Sequence, residues 1–253
     1  ESVDKEGCFP KEAYDALKKQ GFMGLLVPKE FGGLGFSIIE HTGVCYELAR
    51  KDATTGLCYM MHNTGTSGIV SFGSAAMKDE FLPKIAKGER AIALAYSESG
   101  SGTHFGLPDI SESLENGVRV LNGRKSFVTS ALQADFYMTN TNSCKIKGAH
   151  NTWLVDRTLP NMIHEDSAWD GLGMRGNASM PVQYNGVRVD EKYLVGKEGD
   201  GGNHAIAIVM YFVVGLAAVY TGLAQAAYEC ILEHTKKRKY TSGQALSDIE
   251  MVR

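Results

Sequence analysis

Two short segments carry the densest polar chemistry of this chain: Ala95-Tyr-Ser-Glu-Ser-Gly-Ser-Gly-Thr103 and Lys125-Ser-Phe-Val-Thr-Ser130. Each is an apolar run that breaks into hydroxyl-bearing and glycine residues. That composition marks a strand ending in a loop with exposed backbone N–H groups. Two such strand ends could lay hydroxyls and amides along the edge of a flat polar heterocycle, which is the chemistry of a flavin site.

Other patterns point away from competing chemistries. Gly171-Leu-Gly-Met-Arg-Gly176 is a literal GxGxxG with Asp190 about 20 residues further on. A dinucleotide fold needs a helix directly after the glycines, whereas Ser179-Met-Pro-Val-Gln-Tyr184 is strand-like and Pro181 opposes a helix. The seven histidines show no HxxH or HxxxH pairing, so no metal is expected. The five cysteines form no CxxC, and three sit in apolar helix-like or strand-like settings. Reduced core thiols and an intracellular compartment are the expectation, cytoplasmic or an organelle matrix. The net charge of −3 and the lack of aromatic–basic interleaving exclude a nucleic-acid partner. Lys236-Lys-Arg-Lys239, the densest basic run, reads as a solvated helix end. No signal peptide is expected before the first helix. The apolar stretch Ala205 to Val219 is about 15 residues, short of the ~20 that cross a bilayer, and reads as a buried helix rather than a membrane span.

The elements that position the two segments follow from the apolar period. Residues 7 to 88 carry helical spacing: a helix from Pro10 ended by Gly21, one over Ile38 to Ala49, one capped by Asp52 or Thr54, and one over Ala75 to Ala86 stopped by Gly88. From 90 to 198 the period becomes that of strands. Ala91 to Tyr96, Phe127 to Thr129, Phe136 to Thr139, Trp153 to Val155 and Val182 to Val189 are strand candidates, Asn116-Gly117 marks a hairpin, and Asn185-Gly186 a possible second one. Near Gly199 helix returns, almost uninterrupted over Ile206 to Thr235, with a new helix expected over Leu246 to Arg253. The expected fold is α+β and multi-domain: an N-terminal α-helical domain (1–89), a middle antiparallel β-barrel or sandwich (90–198), and the beginning of a C-terminal helical bundle (199–253).

That order resembles the acyl-CoA dehydrogenase family. Gly24 to Gly33 is similar to its early helix-to-loop element, and Phe81 to Gly88 to the segment before its first middle-domain strand. Ser97-Glu98 with Gly100 and Gly102-Thr103 resembles its Thr-Glu-Pro-x-Ala-Gly-Ser motif, and Lys125 to Ser130 its Lys-x-Trp-Ile-Thr-Asn segment. Leu172 to Gly176 and Val187 to Gly196 resemble later middle-domain strands. Their collinear order over about 200 residues carries the resemblance.

The resemblance implies an FAD-dependent oxidoreductase that oxidises the Cα–Cβ bond of an acyl thioester, as in fatty acid metabolism, with hydride passing to flavin N5. Tyr96, Ser97, Gly102, Thr103, Phe127, Thr129 and Ser130 would line the flavin, and Thr103, Met210 and Phe212 the substrate pocket. Arg238 would reach the FAD of a neighbouring subunit in a homotetramer. An acyl-CoA and an electron-transfer flavoprotein-type acceptor are the implied partners. The chain also departs from the pattern. The first-helix position of the family's carboxylate base is Phe212, its neighbouring Arg is Val213, His104 stands for Asp in Gly-Ser-Asp, and Thr241-Ser242 for Phe-Gly after Arg238. No general base is therefore identified. A flavin monooxygenase or oxidase of the same fold, or a non-catalytic scaffold relative, are the alternative readings.

Overall fold

A computed structural model describes residues 2–104, 106–166 and 169–250. Five helices come first: α1 (Ser2–Glu6), α2 (Lys11–Lys19), α3 (Ile38–Ala49), α4 (Ala53–Phe72) and α5 (Ala75–Ala86). Their starts are set by side chains that accept otherwise orphaned N–H groups. Ser37 and Glu40 form a reciprocal capping box on α3, Asp52 accepts from the Thr55 N–H at 2.9 Å, and Ser74 caps α5. Gly21 and Gly88 follow their helices with left-handed backbone. The short α1 precedes the first expected helix.

Seven strands follow: β1 (Ile92–Ala95), β2 (Ser111–Glu115), β3 (Val118–Val128), β4 (Phe136–Asn142), β5 (His150–Asp156), β6 (Met162–His164) and β7 (Met180–Val189). They form one curled half-barrel sheet in the order β1-β4-β2-β3-β7-β6, with β5 also on β4. The sheet is mixed rather than antiparallel throughout. β1 runs parallel to β4, because the chain returns to the same edge only after the long β2–β3 excursion. Asn116 and Gly117, both at positive φ, make the expected β2–β3 hairpin. Asn185-Gly186 is not a second hairpin. β7 continues through it against β3 with a register shift, and Gly186, at φ 75, is the extra residue of a bulge whose N–H donates to Asn122 Oδ1 at 2.8 Å. The three-residue β6 was not foreseen.

One face of β1 and β4 (Ile92, Leu94, Phe136, Met138) joins the helical core, while Ala93, Ala95 and Tyr137 face the sheet's own interior. His62 ties the two layers. Its Nε2–H donates to the Met23 carbonyl at 2.9 Å and its Nδ1 accepts from the Ile92 N–H at 3.2 Å.

The last helix, α6, runs from Gly201 to Lys237, 37 residues in all, well beyond the apolar stretch read from the sequence. By length and composition alone it could cross a membrane. Its inner face packs on α3 and α4, with Gly222 so close to the Tyr46 carbonyl that a Cβ would lie 2.4 Å from it. Its outer face presents Ile206, Met210, Val213, Tyr220 and Ile231 to solvent. Instead of a new helix at Leu246, the chain makes a single 3-10 turn over Leu246–Asp248; residues 251–253 of that expectation lie outside the described residues. All five cysteines are free thiols. Two of them, Cys45 and Cys58, are buried, against the three expected in the core, because Cys8, Cys144 and Cys230 fall on the outer surface of their segments.

Candidate functional site

The two polar segments lie side by side. The Ser126 N–H donates to the Ser97 carbonyl at 2.8 Å, joining the end of β3 to the loop after β1. One residue along, Lys125 and Glu98 form an ion pair with both side chains almost wholly excluded from water. Lys125 Nζ also donates to the carbonyl and Oδ1 of Asn140 at 2.9 and 2.7 Å. Burial pushes the Lys125 ammonium down to about 8, opposed by the adjacent Glu98 carboxylate. A second irregularity in the β3–β7 register, between Lys125 and Val128, breaks the inward–outward alternation. Lys125 and Ser126 both point inward, and Phe127 is turned out, 57% exposed, with Trp169 edge-on at 6.5 Å.

The residues singled out from the sequence divide into groups. Tyr96 is buried at the end of β1, Ser97 is half-buried, and Gly102 and Thr103 are exposed on the loop beyond it. Thr129 is buried, its hydroxyl 2.7 Å from that of Ser179. Ser130, buried at φ 63, donates its N–H to the Asn177 carbonyl at 2.9 Å. With Phe127, these six residues share one end of the sheet. Thr103 also lines a cleft of about 360 Å³ with His104, Leu107, His150, Ile206 and Val209, between the loop and the first turns of α6. Met210 follows Val209 on the exposed side of α6, whereas Phe212 turns toward the helical core. Arg238 is the exposed C-cap of α6. At 1.5 Å per residue it stands roughly 42 Å along the axis from Met210, so it does not belong to the same site in one chain.

The titratable groups of the cleft are histidines. His150 is lowered by burial. His204, behind the cleft, is lowered for the same reason; it stacks on Phe72 with centroids 4.2 Å apart, and its Nδ1 lies 3.3 Å from Thr152 Oγ1. Among the described residues, no group of three His, Cys, Asp or Glu side chains could hold a metal. A larger groove of about 560 Å³ between α2 and α3, lined by Ala13, Leu17, Val44 and Leu48, is almost wholly apolar and offers little to orient a reacting group. Sequence reasoning did not single out Glu98 and Lys125 as a pair or His150 as a residue of the cleft. The first two were detectable as one ionisable residue at each of two strand ends that had to meet.

Comparison with known proteins bears directly on this arrangement. Residues 1–89 match the model of the acyl-CoA dehydrogenase N-terminal domain and residues 93–187 that of the acyl-CoA dehydrogenase middle domain. The chain belongs to the acyl-CoA dehydrogenase family. It is 30% identical to an acyl-CoA dehydrogenase of Bacillus subtilis over 94% of this chain and 63% of that protein. It is 28% identical to the human mitochondrial short-chain specific acyl-CoA dehydrogenase over 99% of this chain and 61% of that one. The fold superposes on butyryl-CoA dehydrogenase from Megasphaera elsdenii with a TM-score of 0.91 at 25% identity, covering 99% of this chain and 67% of that structure. The chain thus spans about three fifths of the length of these curated relatives.

Both polar segments of this acyl-CoA dehydrogenase-family chain, and the contact between them, lie within the residues matched to the middle domain. The face of α6 toward the cleft, however, carries Ala205, Ile206 and Val209, and no carboxylate lies between His204 and Tyr228.

Proposed function

We propose that this chain is the flavin-binding part of an FAD-dependent acyl-CoA dehydrogenase-like oxidoreductase. The observation that carries the reading is the Ser126–Ser97 hydrogen bond. It turns two segments that are distant in sequence into one strip bearing the half-buried Ser97 and the exposed Phe127. The residues fit a flavin. Ser97 is half-buried and Thr103 exposed on the loop beyond it, hydroxyls open to the polar edge of a ring. Phe127 supplies an exposed aromatic face. FAD, when bound, would accept a hydride at N5 from the β-carbon of an acyl thioester.

The chain's own residues would bind and orient. Tyr96, Ser97, Gly102, Thr103, Phe127, Thr129 and Ser130 form the cofactor strip, and Thr103, with Met210 at the rim, holds one side of the substrate cleft. Leu107, Ile206 and Val209 make that cleft apolar enough to exclude water from an acyl chain. α-Proton abstraction needs a base, and this cleft offers no carboxylate. The base would come from polypeptide other than residues 1–253. Phe212, against the core, would serve as packing behind the pocket rather than its wall.

The three-part division at 1–89, 90–198 and 199–253 belongs to the same reading. So do an acyl-CoA substrate, an electron-transfer flavoprotein-type acceptor, a homotetramer, a reducing intracellular compartment and a place in fatty acid metabolism.

Titration of the purified chain with FAD tests the proposal. Saturable quenching of flavin fluorescence, weakened in Phe127→Ala, is expected, with no bleaching of the bound flavin on anaerobic addition of butyryl-CoA. Absence of saturable flavin binding would refute the cofactor assignment. Rapid bleaching would show that a base lies within these residues.

A further inference from the structure

The loop that lines the cleft, Ser99 to Pro108, has no helix or strand among its described residues, yet both of its ends are held by one buried glutamate. Glu98 precedes the loop. Its side chain accepts from the backbone N–H of Asp109, just past the loop, and from that of Ile110 at 3.2 and 3.3 Å. Its backbone N–H and carbonyl engage Ser101 Oγ, and the Ser101 carbonyl in turn accepts from the His104 N–H at 2.8 Å. The side chain of Asn142 donates to the Pro108 carbonyl at 2.6 Å, closing the neck from β4.

A carboxylate sealed from water at such a neck needs a countercharge, since an unpaired buried anion is strongly unfavourable. Lys125 supplies it from β3, at the last regular pair, with Val182, before the β3 bulge. Asp109 is a second carboxylate close to Lys125, and Tyr184 on β7 lies near Glu98.

We infer that Glu98 and Lys125 are a positioning pair: a clasp that closes the Ser99–Pro108 loop and thereby sets Gly102 and Thr103 beside the Ser97–Phe127 strip. The inference rests on the flavin reading only for its effect on FAD; the clasp itself is a property of the loop. Neither residue touches the cleft. The pair acts through the backbone amides that it holds, so its loss opens the loop while the two cores beneath remain packed.

The experiment separates this role from a merely structural one. In Glu98→Leu/Lys125→Met, apolar groups of similar volume replace both partners, an exchange that leaves a fold about as stable as before. The thermal midpoint should stay within a few degrees of wild type. Hydrogen exchange at His104 and Leu107, whose N–H groups are bonded within the loop, should accelerate about tenfold or more, while the amides of β4 and β5 keep their wild-type rates. The FAD dissociation constant should rise about tenfold, the loss expected of a misplaced loop donor. Glu98→Gln, which keeps the shape but loses the charge and one acceptor, should fall between the two, and it decides the matter if the double variant does not fold. Wild-type loop exchange in either folded variant, or exchange accelerated equally in the loop and in β4–β5, would overturn the inference. If the wild-type chain takes up no FAD, the flavin reading fails by itself and loop exchange alone judges the clasp.

Discussion

Replacing Thr129 with Val is the most discriminating single change at the candidate flavin strip. Valine keeps the branched shape, so no cavity opens and the effect is confined to one hydroxyl. In the free protein that hydroxyl lies 2.7 Å from Ser179 Oγ, with both residues buried. The substitution leaves Ser179 Oγ without this partner, which costs about 1–3 kcal/mol. For a chain of this size that lowers the thermal midpoint by roughly 2–4 °C per kcal/mol. If Thr129 also bonds the flavin edge, a further 0.5–1.5 kcal/mol is lost from binding, a factor of roughly 2 to 13 in affinity. Ser179→Ala is the control: it removes the same internal bond but leaves the Thr129 hydroxyl free for the ring. Both variants should unfold at lower temperature, and Thr129→Val alone should weaken FAD binding in a fluorescence titration. Thr129→Ser should recover most of the affinity. Equal FAD affinities in the wild-type, Thr129→Val and Ser179→Ala proteins would refute the proposed contact.

Stability should also depend on pH. Burial lowers both His41 and His62 from 6.5 to about 4, so the unfolded chain takes up their protons first. Their contribution is complete above about pH 6.5 and falls toward pH 4, by about 1.4 kcal/mol per pH unit for each histidine; urea unfolding that gave the same free energy at pH 7 and pH 5 would contradict this. Arg119, wholly buried, pairs with the equally buried Glu112 and also reaches Glu191 and Glu198. Arg119→Met should therefore destabilise the fold by about 3–5 kcal/mol, and adding Glu112→Gln should return a large part of it. Chemical denaturation of the two variants checks this, and a single variant as stable as wild type would exclude an energetic role for the pair. Arg238, remote along α6 from the strip, should affect FAD only across an interface. Arg238→Ala should weaken flavin binding in an oligomer seen by light scattering, and a monomer with unchanged affinity would remove Arg238 from the site.

Much of the scaffold was legible because its signals are local. α3 and α5, capped by Ser37 and Ser74, begin and end where the pattern placed them, since a cap and a chain reversal depend only on neighbours within a turn. The same holds for the Asn116-Gly117 hairpin, and for the exclusion of a dinucleotide fold, since Gly171–Gly176 leads through a 3-10 turn into β7 rather than into a helix. The α–β–α order and the two hydroxyl-rich strand ends were equally plain, and they sufficed for the family.

What the sequence by itself determined, then, is which residue types stand at the strand ends and which elements carry them. Only the tertiary structure decided which of those side chains face the same space. Alternation along β3 would have sent Lys125 and Ser126 to opposite faces; the bulge against β7 that follows Lys125 turns Ser126 inward beside it and Phe127 out. Asn185-Gly186 carries the local chemistry of a hairpin but becomes a bulge, because β3 is long enough to pair past it. The parallel β1–β4 pairing, the His62 bridge and the Glu98–Lys125 clasp join residues tens of positions apart. Their energies depend on burial and on partners that no local window contains. A charge or a hydroxyl gains its meaning from what excludes water around it, and that is settled only when the sheet and helices close upon one another.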